Sequence, residues 1–420
     1  MKILISAFCC GATWTSEPGI AWRAVHHALG NNHEVWAIIT RQGYEKELGD
    51  YLAAHPLPGF HPIFMDLPPA MQFIRRSPLT HSIYYNLWQH HLVSVARQLH
   101  QKVGFDLAHH VSYIRYWSPS GVRDLGIPFI WGPVGASESM PNSFLAELPP
   151  RARVFEFLRD KIRIAARLQP SLRATARAAT IAIGITRETC DALRELGARR
   201  VEQIPLAMTD EELAGYDRVP PPPPGPFRIL CLGRLLHWKG FHLAIRAFAI
   251  FAKKNPEAEL WIAGDGPFRG ELEKVAGETG ISSRVRFLGH LSHAAAKDRL
   301  AQAHVLLHPS LHEAFGYVCL EALASGRPVV CLDIGGPALQ VSAETGFVAS
   351  ATTPQESVQA MASYLTTIAG NRDLLAEISD RCRTRVHTEF TMRRTGAIIN
   401  SFYAEAVASR EKSLLSGKSA

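Results

Sequence analysis

His312-Glu313-Ala314-Phe315-Gly316-Tyr317-Val318-Cys319-Leu320-Glu321-Ala322 is the stretch that decides the fold of this chain. An apolar run, Val305-Leu306-Leu307-His308-Pro309-Ser310, precedes it, and a second, Pro328-Val329-Val330-Cys331-Leu332, follows. The first run fits a strand buried on both faces of a parallel sheet. Between the runs, Phe315 to Ser325 is predicted as a helix closed by Gly326. Glu313 and Glu321 therefore flank a helix N-terminus that follows the carboxyl end of a strand. Open α/β sheets bind ligands at such ends, and first-turn N–H groups there favour an anion. Carboxylates on both sides of an anion site point to a ligand with phosphate and hydroxyls, as a sugar nucleotide has.

Outward from this stretch the second half of the chain keeps one period. Strands are predicted at 228–232, 259–263, 285–288, 304–308 and 328–332, with helices between. Phe241, Ala244, Ile245, Phe248, Phe251 and Ala252 recur at helical spacing. Strand–helix alternation of this kind means a doubly wound parallel sheet. Its first strand opens into Gly233-Arg234-Leu235-Leu236-His237-Trp238-Lys239-Gly240. Two cations bracketed by glycines at a strand-to-helix loop suit a diphosphate, because glycine admits the backbone while Arg and Lys neutralise charge. Gly264-Asp265-Gly266-Pro267 and Phe287-Leu288-Gly289-His290 end the next two strands. Each reads either as a contact to base or ribose or as a plain connection.

The first half begins the same way. Lys2 to Cys10 is predicted as a strand rather than a leader peptide, Gly11 to Gly19 as a loop, Ile20 to Leu29 as a helix and Asn32 to Ile39 as a second strand. The loop lacks Gly-x-Gly-x-x-Gly, which weighs against a dinucleotide. Residues 56–69 are Pro-rich, Thr80 to Lys102 is helical, and Phe105-Asp106-Leu107-Ala108-His109-His110-Val111 is a further strand. His109 and His110 read either as hydrogen-bonded strand-end histidines or as active-site residues. Ile127 to Trp131 runs into Gly132-Pro133-Val134-Gly135-Ala136-Ser137-Glu138, again a strand with a Gly-rich loop and a carboxylate. Thr180–Gly184 and Val201–Pro205 close this half as short strands, and Val219 followed by prolines 220–224 is a stiff boundary.

Bulk properties agree with such a protein. At 420 residues the prior is two to three domains, and 47% hydrophobic with 20% charged residues excludes a disordered chain. The net charge of +7 is concentrated: residues 151–200 hold 12 Lys or Arg against 5 Asp or Glu. Residues 143–178 are Arg-rich and helical, with Val154, Phe157, Leu158, Ile162 and Ile164 near one face. Either this is a surface helix whose Arg stems cover the core, or it meets anionic lipid or a phosphorylated acceptor. Nucleic acid is disfavoured, since no aromatic stacking pattern accompanies the charge. No apolar stretch reaches the roughly 18 residues of a membrane span. The seven cysteines include no Cys-x-x-Cys and read as reduced core thiols in a cytoplasmic protein, with neither disulfide nor zinc implied.

At this point the chain resembles family 4 glycosyltransferases of the GT-B fold. The matching signs are Glu313 and Glu321, Gly233-Arg234 with Lys239-Gly240, Gly264-Asp265-Gly266-Pro267, Val285-Arg286-Phe287-Leu288-Gly289 and Thr345-Gly346-Phe347-Val348. The resemblance implies an α/β chain of two Rossmann-like doubly wound domains facing across a cleft. It implies an acceptor-side domain over 1–208, a Pro-rich linker over 209–226 and a nucleotide-sugar domain over 227–390. A helix near 391–410 would return to the first domain, and 411–420 is expected to be a flexible tail. Arg234 and Lys239, with Gly233, would hold the donor diphosphate, and Glu321 the ribose. Glu313 would hold hydroxyls of the donor sugar, and the backbone from Phe315 through Gly316 and Tyr317 to Val318 would meet sugar and phosphate. Gly264, Gly266 and Leu288 are carried as donor contacts, and Gly19 as the first domain's approach to the donor. Where the family has His-x-His, the second histidine falls on Val111, so His109 and His110 both stay candidates for catalysis. Ser16-Glu17-Pro18-Gly19 and Trp131 to Gly135 resemble a bacterial branch.

The implied reaction is retaining transfer of a sugar from a nucleotide-diphosphate sugar to a hydroxyl acceptor in cell-surface polysaccharide, glycolipid or glycoconjugate synthesis. The acceptor is open, with a lipid-linked one among the candidates. No Asp-x-Asp accompanies the cations, so no metal and no cofactor are expected. The site would work on the cytoplasmic side, with residues 151–178 touching the membrane. The rival readings are a nucleotide-sugar epimerase of the same fold, against which the Glu313–Glu321 spacing argues, and a non-catalytic sugar-nucleotide-binding protein.

Overall fold

The computed structural model describes residues 1–13, 17–76, 80–217 and 219–416. In chain order the elements are β1 (Lys2–Ala7), α1 (Glu17–Gly30), β2 (Glu34–Ile39), α2 (Glu45–Ala54), β3 (Phe60–Phe64), α3 (His81–Val103), β4 (Leu107–Ser112) and β5 (Phe129–Val134). Then follow α4 (Asn142–Leu145), α5 (Pro150–Arg167), α6 (Pro170–Ala178), β6 (Ile181–Gly184), α7 (Arg187–Glu195), β7 (Val201–Gln203) and α8 (Asp210–Tyr216). The next are β8 (Arg228–Leu232), α9 (Phe241–Ala252), β9 (Glu259–Ala263), α10 (Arg269–Glu278), β10 (Val285–Gly289), α11 (His293–Gln302) and β11 (Val305–His308). The last are α12 (Tyr317–Ala324), β12 (Val329–Leu332), α13 (Gly335–Gln340), β13 (Gly346–Ala349), α14 (Pro354–Gly370), α15 (Arg372–Glu389) and α16 (Met392–Ser416). Among the described residues, no helix is long and apolar enough to cross a membrane.

The chain divides into two compact units. Unit 1 comprises Met1–Ser137, Lys161–Ile204 and the segment from Arg393; unit 2 comprises Glu138–Asp160 and Pro205–Met392. Unit 1 is built on a parallel sheet of order β3-β2-β1-β4-β5-β6-β7. Such a sheet must be covered on both faces, and β1 meets the demand by alternation. Ile3, Ile5 and Ala7 pack into one apolar layer, and Leu4 and Phe8 into the other. The first layer is completed by Ile399, Phe402, Tyr403 and Ala406, spaced by three and four along α16.

Unit 2 has a parallel sheet of order β10-β9-β8-β11-β12-β13. Counted from β8 this is the doubly wound order whose direction reverses between the first and fourth strands. The reversal falls between β8 and β11. Ile229 and Cys231 enter the layer formed with α9 and α14, and Leu230 the opposite layer with α12 and α15.

Several local expectations need correction. The Pro-rich passage 56–69 contains β3, in which Pro62 pairs with Ala37. It is tolerated because β3 is the sheet edge, where a missing N–H is harmless. The Arg-rich stretch 143–178 is three helices, α4, α5 and α6, with Pro170 opening the last. The segment 209–226, expected to be linker throughout, folds into α8 at its start because Thr209 and Glu212 form a reciprocal cap. The predicted helix at Phe315 starts only at Tyr317, after Gly316 in the left-handed conformation. The first helix begins at Glu17 rather than Ile20. Residues 411–416, expected to be a tail, continue α16, while Ser16 and 417–420 lie outside the described residues.

Candidate active site

The site forms where the strand order of unit 2 reverses. Two loops leave the carboxyl ends of β8 and β11, and backbone bonds tie them together. Leu311 N donates to Trp238 O at 2.7 Å, and Ser310 Oγ donates to the same oxygen at 3.2 Å. Gly240 has φ +68°, and a Cβ there would lie 1.9 Å from Pro309 O, so only glycine lets the loops approach. This approach sets Lys239 of the first loop against Glu313 of the second.

Lys239 Nζ donates to Glu313 Oε2, with the two side chains only 18% and 15% exposed. His308, fully buried on β11, places Nε2 at 3.7 Å from the same oxygen, an electrostatic distance rather than a hydrogen bond. Burial pushes the Glu313 carboxyl up, but the Lys239 ammonium, aided by His308, overcomes it and holds the group well below the usual carboxylate range. Glu313 is thus ionised near neutrality. An ammonium has three donors, so Lys239 can serve Glu313 and a phosphate together. Arg234, on the same loop, is exposed, and its side chain bonds to none of the described residues.

Glu321 differs from Glu313. It lies in the second turn of α12, half-buried, with His293 Nδ1 3.7 Å from Oε1. Burial pushes its carboxyl up, and His293 and a hydrogen bond from Tyr216 of α8 only partly offset this. The two carboxylates eight positions apart are therefore driven in opposite directions.

The other predicted donor contacts divide into two kinds. Phe315, Tyr317, Val318 and Leu288 are half-buried, and the last three pack against one apolar layer. Gln340 Nε2 donates to Phe315 O at 2.6 Å and fixes the turn into α12. Gly264 and Gly266 are spent on backbone packing. Added Cβ atoms would meet Gly233 O at 1.9 Å and Leu235 O at 2.5 Å. They shape the Gly233–Leu235 turn.

The two histidines at the end of β4 lie inside unit 1. His109 is fully buried; its Nε2 donates to Gly132 O at 2.6 Å, and its Nδ1 accepts from the Tyr403 hydroxyl at 2.7 Å. His110 is equally buried, with Ser6 Oγ 3.1 Å from Nδ1 and the Tyr85 hydroxyl 3.3 Å from Nε2. Burial lowers the two rings to about 4 and about 3, keeping both neutral. Both nitrogens of each ring thus have a partner within the fold, the arrangement of hydrogen-bonded strand-end histidines. Gly19 is buried in the first turn of α1.

Sequence reasoning passed over a second buried carboxylate. Glu156 of α5 is 1% exposed; its Oε1 accepts from His237 Nε2 at 2.7 Å and from His312 Nε2 at 3.3 Å. Both histidines stood in the quoted motifs. Glu156 was legible only as an isolated acid in an Arg-rich helix.

Part of the sequence, and the fold, have known counterparts. Residues 216–383 match the family model described as glycosyl transferases group 1. The matched residues lie within unit 2. The chain is 33% identical over 148 residues to the gpi3 subunit of phosphatidylinositol N-acetylglucosaminyltransferase from Schizosaccharomyces pombe, covering 34% of this chain and 30% of that one. It is 31% identical over 171 residues to the lipopolysaccharide core biosynthesis glycosyltransferase LpsD of Rhizobium meliloti, 38% of this chain and 46% of that one. The chain thus spans less than half the length of either relative. The fold is similar to that of HepE from Anabaena, solved in complex with UDP, with a TM-score of 0.59 at 19% identity over 96% of this chain and 100% of that one.

Proposed function

We propose that this protein transfers a sugar from a nucleotide-diphosphate sugar to a hydroxyl acceptor, with retention at the anomeric carbon. One observation carries the reading: a cation and an ionised carboxylate, Lys239 and Glu313, paired at the strand ends where the sheet order reverses. UDP bound to the similar fold of HepE supports a nucleotide donor. Lys239 and Arg234 take the diphosphate, Glu313 the sugar hydroxyls and Glu321 the ribose.

In the reaction the bond from the anomeric carbon to the phosphate oxygen breaks, and a bond to the acceptor oxygen forms. Charge grows on the departing diphosphate while the sugar passes through an oxocarbenium-like state. Arg234, Lys239 and the first-turn amides of α12 stabilise that charge. The acceptor proton passes to the departing phosphate oxygen on the same face. These cations supply the charge that a metal supplies elsewhere, so the reaction proceeds without one, and no cofactor is used.

The acceptor belongs to cell-surface polysaccharide, glycolipid or glycoconjugate synthesis, and an anionic membrane on the cytoplasmic side is where the protein meets it. Helix α5 supports this. It buries Ala152, Glu156 and Arg163 yet exposes Val154, Leu158, Ile162 and Ile164, with Arg151 and Arg153 also outward. An outward apolar stripe among basic residues is the pattern of a helix lying in a lipid interface.

The test is a panel of sugar nucleotides assayed for nucleotide release with purified protein. At least one is turned over by the wild type, and Lys239→Ala loses about 10²-fold or more. No release from any donor would contradict the reading.

A further inference from the structure

We infer that Glu156 is a positioning residue for the donor site: it bridges the two phosphate loops from outside the sheet. The inference rests on reading residues 233–240 as the diphosphate loop. Its ground is geometric. His237 lies two residues before Lys239, and His312 immediately before Glu313; Glu156 Oε1 accepts from Nε2 of both rings. A carboxylate only accepts, so both rings carry their proton on Nε2 in this arrangement. The bridge therefore fixes the tautomer and direction of each ring, and with them the neighbours that form the Lys239–Glu313 pair.

The neighbouring residue strengthens the grip. Phe155 stacks on Trp238 at 5.7 Å and 9°, and Trp238 stacks on His312 at 5.1 Å and 20°. One edge of α5 thus holds the tip of the first loop with Phe155 and links both loops with Glu156. Burying a carboxylate is costly unless partners compensate, and an apolar residue would fill the same space more cheaply. His237, His312 and Arg159, whose Nη1 is 3.6 Å from Glu156 Oε2, are the compensation. They outweigh the effect of burial and hold the carboxyl low, at about 2, so it bridges in its ionised form.

The role is separable from a purely structural one by comparing ligands with and without the diphosphate. UDP and uridine, with the GDP–guanosine and ADP–adenosine pairs alongside, are titrated calorimetrically into wild type, Glu156→Gln and Glu156→Ala. Donor KM and kcat are measured for the same proteins. Glu156→Ala is expected to weaken the diphosphate about tenfold or more and raise donor KM, leaving the nucleoside unchanged. Glu156→Gln, which keeps one accepting oxygen and the same volume, should fall between, and it carries the test if the alanine variant does not fold. Wild-type diphosphate affinity in Glu156→Gln, with only its melting temperature lowered, would overturn the positioning role alone. Failure of the wild type to bind any nucleoside diphosphate would overturn the functional reading and this inference with it.

Discussion

Glu313 and Glu321 illustrate how little residue type says about a group's state. Lys239 and His308 hold one well below the usual carboxylate range, and burial pushes the other up. The placement of Lys239 and Glu313 at strand ends was legible from the alternating pattern, whereas their pairing was not, because it depends on two loops 74 positions apart meeting. Nor was the state of His109, because it depends on Gly132 and on Tyr403, which is 294 positions away. His109→Gln should therefore destabilise the fold by roughly 1–3 kcal/mol through lost buried hydrogen bonds, with kcat unchanged at temperatures where the variant is folded. A kcat loss of about 10²-fold in folded protein would instead give His109 a catalytic role. Steady-state kinetics beside a melting curve decides between these outcomes.

Among the elements, α5 departs furthest from what periodicity suggests. The spacing of Val154, Phe157, Leu158, Ile162 and Ile164 correctly marked a face of a helix, but periodicity is silent on which face is buried. Here the polar side is inward, because Glu156 has His237 and His312 to meet. The apolar side is left exposed. Replacing Leu158 and Ile162 by Glu should cut binding to anionic vesicles about tenfold or more, since each buried aliphatic side chain contributes about 1.5–3 kcal/mol. Co-sedimentation at low and high salt, with thermal melting as control, measures it. Unchanged vesicle binding would exclude α5 as the contact. β3 teaches the same lesson in reverse: Pro62 hid a strand that an edge position permits.

Across the whole molecule, both sheets keep one winding order, and alternating strands and helices announced it without any long-range information. The exchange of 138–160 and of the last helix between units was written in tertiary packing instead. Burial also sets an acid limit. His109, His110 and His242 are held neutral, the last at about 3, so unfolding allows each to take up a proton below its ordinary value of 6.5. The unfolded chain then binds more protons, and stability falls with decreasing pH. Melting temperature should decline from about pH 6.5 towards 4, opposite to the drift expected were these groups paired as cations. Scanning calorimetry across that range tests it.

The central claim is that Lys239 and Arg234 hold a diphosphate at the β8–β11 switch point. Titration of UDP, GDP and ADP, each against its nucleoside, into the wild type and into Lys239→Ala tests it most directly. The wild type should bind at least one nucleoside diphosphate about tenfold or more tightly than its nucleoside, and Lys239→Ala should lose that preference. Equal affinity for nucleoside and diphosphate in the wild type, or a preference untouched by Lys239→Ala, would contradict it.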